Sequence, residues 1–139
     1  MDRNLLFLPM LLQIALTLFM FIRLGTVKSR AVRLAEVDAR RRALHQDAWP
    51  DYVLKVANNI DNQFETPVLF YVLSFMAWAN DRVDWVLLSL CWTFVGSRLA
   101  HAYIHVGANV VALRRKVFTV GVLILMLLAA LNLRPFLGL

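Results

Sequence analysis

Four apolar blocks, with every strongly polar segment of the chain between them, limit what this sequence can fold into. The first, Leu5 to Ile22, is eighteen residues long with Gln13 and Thr17 as its only polar members. At about 1.5 Å per residue it nearly crosses a hydrocarbon core of about 30 Å. The second block, Phe64 to Ala79, opens on Glu65 and Thr66. The third runs from Trp85 to about Val106 and contains Arg98, His101 and His105, and the fourth, Val117 to Leu133, is almost wholly aliphatic, with Thr119 and Asn132 as its polar members. The apolar residues are concentrated in these four blocks, a layout that a buried soluble core would not have. Together with an apolar content of 60% over 139 residues, this points to lipid. The expected fold is all-α, an integral membrane four-helix bundle in a single domain over 1–139, with helices near 4–24, 60–80, 84–107 and 116–134. The first block lacks a small-residue cleavage site behind it and reads as a span, not a signal peptide. Pro67 falls in the first turns of the second helix, which favours a helix start near Ile60 to Asn62 over a kink. Cys91, the lone cysteine, reads as a small apolar filler and offers no intrachain disulfide.

The charges give an orientation. The connector from Arg23 to Asn59 holds eight basic residues, including Lys28, Arg30 and the run Arg40-Arg41-Arg42, and Arg114-Arg115-Lys116 follow the third block. Four spans put both groups on one face, so eleven cations oppose the three on the other face, Arg3, Arg82 and Arg134. Such a bias places the first and third loops in the cytoplasm and both termini on the opposite side. The net charge of +6 therefore needs no nucleic acid, since orientation and anionic lipid account for it. Within the first connector, His45 reads as a solvated loop residue and Trp49-Pro50-Asp51-Tyr52 as an interfacial break.

Residues three, four or seven apart share a helix face. Arg98, His101 and His105 have that spacing, and Asn109 extends it by a turn; Asn58, Asn62 and Glu65 form a second stripe. A lone arginine inside hydrocarbon costs at least about 2.5 kcal/mol, so Arg98 needs a partner. Glu65 is the carboxylate at comparable depth, and a Glu65–Arg98 ion pair is expected, within the bundle or between subunits. So many hydrogen-bonding groups on one surface suggest a pocket for a polar ligand rather than a register lock. His101 and His105, at i and i+4, could supply two metal ligands, but the glutamate of a zincin helix is absent and no metal is expected.

Two segments carry a family likeness. NQFETPVLF, residues 62–70, resembles the Asn-x-x-Glu-Thr opening of the second helix in the MAPEG family, the membrane-associated proteins of eicosanoid and glutathione metabolism. VGSRLAHAYIHVG, residues 95–107, resembles that family's third-helix segment, with Arg followed by Ala-His. The resemblance implies a four-helix protomer assembled as a homotrimer. Glutathione would lie between subunits near the cytoplasmic side, and a lipophilic electrophile or peroxide would reach it from the bilayer. It implies a transferase or peroxidase in which Asn62 and Glu65 contact glutathione, Arg98 supports Glu65, Arg114 stabilises the thiolate and Lys28 faces the carboxylates. An anionic thiol ligand suits that basic rim, because opposite charge favours the thiolate, the nucleophilic form. The chain departs from the pattern at Asn58, where glutathione-binding members commonly have arginine, at His105, where they commonly have tyrosine, and at Arg115, where some have serine. With His105, the tyrosine's hydrogen-bonding role passes to a group able to carry a proton near neutral pH, and so to a catalytic candidate. Asn58 and His101 count among the ligand-binding candidates, and the departures at Asn58 and His105 motivate the rival reading, a non-catalytic member that binds a lipid or an acidic metabolite at a Glu65/Arg98/His105 pocket.

Overall fold

The computed structural model describes residues 1–137. Five α-helices carry the fold among these residues: α1 (Phe7–Arg33), α2 (Asp51–Gln63), α3 (Thr66–Ala79), α4 (Trp85–Val106) and α5 (Val111–Leu133). Short 3-10 turns at Arg3–Leu6, Gln46–Ala48 and Arg134–Leu137 complete it. Because α2 and α3 are separated only by Phe64 and Glu65, they stand as one interrupted element, and the bundle is a four-helix one. Two helical stretches, Arg3–Arg33 and Val111–Leu133, are long and apolar enough to cross a membrane. Leu11, Leu18, Phe19 and Ile22 on α1, and Leu123, Met126 and Leu127 on α5, expose large apolar side chains on the outside of the protomer.

Three helix limits differ from the limits of the apolar blocks, for one physical reason: hydropathy marks where hydrocarbon ends, while backbone geometry decides where a helix ends. Helix α1 continues nine residues past position 24 because nothing from Arg23 to Arg33 breaks it, and at about 1.5 Å per residue it reaches about 40 Å. It stops where Ala35 takes a positive φ of 55°. Helix α5 begins at Val111, so Arg114, Arg115 and Lys116 lie in its first turns, not in a connector. The second element is the largest correction. It begins at Asp51, not near residue 60, and it breaks. In an unbroken helix the ring of Pro67 would meet the carbonyl of Gln63, four residues back, and could return no N–H to it. Helix α2 therefore ends at Gln63, and α3 restarts with Pro67 in its first turn. The break leaves the last carbonyls of α2 without helical partners.

Two cores hold the helices. Phe70 of α3 stacks on Phe94 of α4 with ring centroids 4.6 Å apart, and Leu87, Cys91, Ile124 and Leu128 close around them. Leu16 and Met20 of α1 pack with Val56 and Ile60 of α2 and Ala102 of α4 in the second cluster. Asn132 donates from Nδ2 to the carbonyls of Leu73 (3.3 Å) and Leu128 (2.9 Å), tying α5 to α3. At the same end of the bundle, Arg3 pairs with Asp81 and lies over Trp78, whose Nε1–H donates to Asn4 Oδ1 at 3.2 Å. Helices α4 and α5 approach at Gly121, where an added Cβ would sit 3.2 Å from Ser97 Oγ and 3.7 Å from the Phe94 ring. Gly121→Leu is therefore expected to lower stability by about 1–3 kcal/mol, and thermal unfolding in detergent checks it.

Candidate functional site

The polar groups inside the bundle gather at the break between α2 and α3. Arg98 is 1% exposed, and its Nη2 donates to the backbone carbonyl of Asn62 at 2.9 Å. A guanidinium from α4 thus takes up a carbonyl left open where α2 stops, since the helix break denies Asn62 the Thr66 N–H it would otherwise meet, at the negative end of the α2 dipole. Its guanidinium carbon lies 6.0 Å from the centre of the Phe118 ring. The expected Glu65–Arg98 ion pair is not formed within the chain. Glu65 is exposed, and the two ion pairs among the described residues are Arg3–Asp81 and Arg41–Asp47. Glu65 is the residue at which the backbone turns between the helices, and its exposed carboxylate makes no bond to Arg98.

The buried amides are also one residue away from the stripe read from the sequence. Asn58 is exposed, and its carbonyl accepts from Asn62 Nδ2 at 2.7 Å. The fully buried residues are Asn59 and Gln63. Gln13 of α1 donates to Gln63 Oε1 at 2.8 Å, Gln63 donates to Asn59 Oδ1 at 3.1 Å, and Asn59 Nδ2 lies 3.5 Å from His105 Nδ1. This chain of three amides joins α1, α2 and α4 and ends on a histidine. A signal for it was available: Gln13 is one of two polar residues in an otherwise apolar block, and a buried amide requires a partner. Gln63→Leu would strand Gln13 Nε2 and Asn59 Oδ1, with an expected loss of about 1–3 kcal/mol for each group left bare. The double change Gln13→Leu/Gln63→Leu should recover part of that loss in the same unfolding measurement.

His101, 2% exposed, stands one turn before His105 with ring centroids 5.5 Å apart, and its Nδ1 is buried without a partner. It lines a cavity of about 280 Å³ with Asn62, Arg114, Arg115, Val111 and Phe118. Arg114 is positioned from the α4–α5 connector, where Asn109, at a positive φ of 52°, accepts its Nη1–H at 2.8 Å. Asn109 therefore holds Arg114 and does not extend the helix stripe, since α4 ends at Val106. Lys55 donates to the Gly107 carbonyl at 3.2 Å, fastening the same connector to α2. Lys28 lies elsewhere, 4.9 Å from the Trp49 ring centre and lining a separate cavity.

This geometry is a small open chamber that two arginines, Arg114 and Arg115, share with one buried histidine, with Val111 and Phe118 as its apolar wall and Asn62 at the helix break on its edge. Nearly the whole chain, residues 6–134, matches the model of the MAPEG family. The chain belongs to the MAPEG family. MAPEG proteins are membrane proteins, which accords with the two apolar helices long enough to span. No curated protein and no solved structure matches the chain significantly. Of the site residues expected from the sequence, the fold brings Asn62, Arg98, His101, His105 and Arg114 to one end of the α4 helix, while Asn58 and Glu65 are exposed and Lys28 lines a separate cavity.

Proposed function

We propose that this MAPEG protein is a membrane-embedded, glutathione-dependent transferase or peroxidase acting on lipophilic electrophiles. The observation that carries the reading is Arg114, held by Asn109 on the rim of the chamber that His101 and Asn62 also line. A thiol placed there meets a fixed cation, which favours the thiolate by opposite charge, and Phe118 and Val111 provide apolar wall for the electrophile. His105, 3% exposed and beside Asn59, stands one turn behind His101, the histidine that lines the chamber, and this pair is the candidate for carrying a proton to or from the reacting sulfur. The chamber in one chain, about 280 Å³, is at the lower limit of small-ligand pockets, which run from about 300 to 1,000 Å³. A homotrimer supplies the remainder: Glu65 and Asn58 are exposed beside the helix break, where a neighbouring subunit would meet the ligand's polar ends. The basic connector and the start of α5 face the cytoplasm, with both termini on the other side.

Calorimetry with glutathione on the detergent-purified protein tests the reading, together with turnover of a generic aromatic electrophile and of a lipid hydroperoxide. Saturable binding with turnover is the expected result. Absence of binding at millimolar glutathione would overturn it and leave the non-catalytic reading, in which the chamber holds a lipid or an acidic metabolite. Crosslinking within the membrane checks the trimer.

A further inference from the structure

Lys28, Arg42 and His45 come from two different elements, the end of α1 and the loop that follows it, and converge on one cavity of about 210 Å³. Trp49 forms a wall, with Lys28 Nζ over its ring, and Val53 and Leu54 of α2 supply an aliphatic floor. None of the lining residues is a carboxylate. The acids of the loop are engaged elsewhere. Asp47 is bonded by Arg41 at 2.7 Å, a bond that holds its carboxyl below the usual carboxylate range, and Asp38 accepts the Arg40 N–H at 3.0 Å.

The loop does not let the two cations, Lys28 and Arg42, spread apart. Asp38 N–H donates to the Ala48 carbonyl at 3.2 Å, His45 N–H to the Arg41 carbonyl at 3.0 Å, and Trp49 Nε1–H to the Arg42 carbonyl at 3.3 Å. Cations held together around a concavity repel one another unless an anion sits between them. A free inorganic anion would satisfy the rim and make no use of the floor. An amphiphile would use both, and a tryptophan with a lysine over it is typical of the level where headgroups lie.

We propose that this cavity binds the phosphate headgroup of an anionic phospholipid. Lys28, Arg42 and His45 donate to the phosphate, while the glycerol and first acyl carbons rest on Val53 and Leu54. The cavity is separate from the chamber lined by Arg114, so the proposal stands or falls independently of glutathione chemistry.

The full-length protein in an uncharged maltoside detergent, titrated with phosphatidylglycerol, phosphatidylcholine and glycerol 3-phosphate and followed by native mass spectrometry, tests it. Saturable phosphatidylglycerol binding is expected, at least about tenfold tighter than phosphatidylcholine. Lys28→Gln/Arg42→Gln should weaken it about thirtyfold and leave glutathione affinity within about a factor of two. If the double variant does not purify as a folded protein, Arg42→Gln alone, on the exposed loop, should weaken it about fivefold. Equal affinity for the two lipids, or unchanged affinity in the variants, would overturn the proposal. Displacement of the lipid by glycerol 3-phosphate would also do so, assigning the cavity to a soluble phosphate. A parallel fall in glutathione affinity would instead return Lys28 to the thiol site.

Discussion

Arg114→Ala is expected to lower turnover of glutathione with an aromatic electrophile by about a hundredfold or more at neutral pH, the scale seen when one preorganised donor to a developing anion is removed. The physical basis is the sign of the local charge. A guanidinium beside the thiol favours the thiolate and depresses its pKa, so removing the guanidinium raises that pKa and reduces the fraction of nucleophile present at neutral pH. The pH profile therefore separates this role from a structural one. Activity lost at neutral pH should return in part as pH rises, because alkali restores the thiolate that Arg114 no longer supports. Arg114→Lys should fall between wild type and alanine, since it keeps the charge and loses the fork through which Asn109 holds the side chain. A profile that drops uniformly at every pH, with glutathione affinity intact, would remove Arg114 from the chemistry.

Arg98→Met is expected to destabilise the protein by about 1.5–3 kcal/mol, the range for a hydrogen bond made by a charged group, because it leaves the Asn62 carbonyl bare at the end of α2. Methionine refills much of the volume, so the loss reports the polar contact more than a void. Glu65→Gln, by contrast, should change stability by no more than about 0.5 kcal/mol, as Glu65 is exposed and makes no bond to Arg98 within the chain. The double variant should be additive within about 0.5 kcal/mol in thermal unfolding. Coupling well beyond that would mean that the acid of a neighbouring subunit reaches Arg98, and the helix-end role argued for the arginine would fail.

The site was partly legible because its residues are chemically improbable where they stand. An arginine and two histidines inside a block of leucine, valine and tryptophan are conspicuous without any coordinates, and their spacing of three and four correctly puts Arg98, His101 and His105 on the buried face of α4. On the amide side the buried residues, Asn59 and Gln63, each stand one position past the polar stripe of Asn58 and Asn62. The break at Phe64–Glu65 detaches Glu65 from the stripe of Asn58 and Asn62, and the packing of Val56 and Ile60 against α1 and α4 turns Asn59 and Gln63 inward in place of those two. The proline that causes the break was visible, but its position suits two outcomes, a helix start or the interruption of a longer helix, and only the extent of the preceding helix distinguishes them.

What the sequence determined by itself is the class of structure, an all-helical membrane protein: apolar blocks of spanning length require helices, because lipid offers the backbone no hydrogen bonds. Tertiary structure alone decided the partners. Arg98 took a backbone carbonyl in place of a carboxylate, Gln13 met Gln63 from fifty residues away, and Lys28 and Arg114 parted into different cavities. Pairing of that kind depends on where a helix breaks and how far two helices are rotated against each other. Those quantities are set by packing between elements and leave no mark in the order of residues within one.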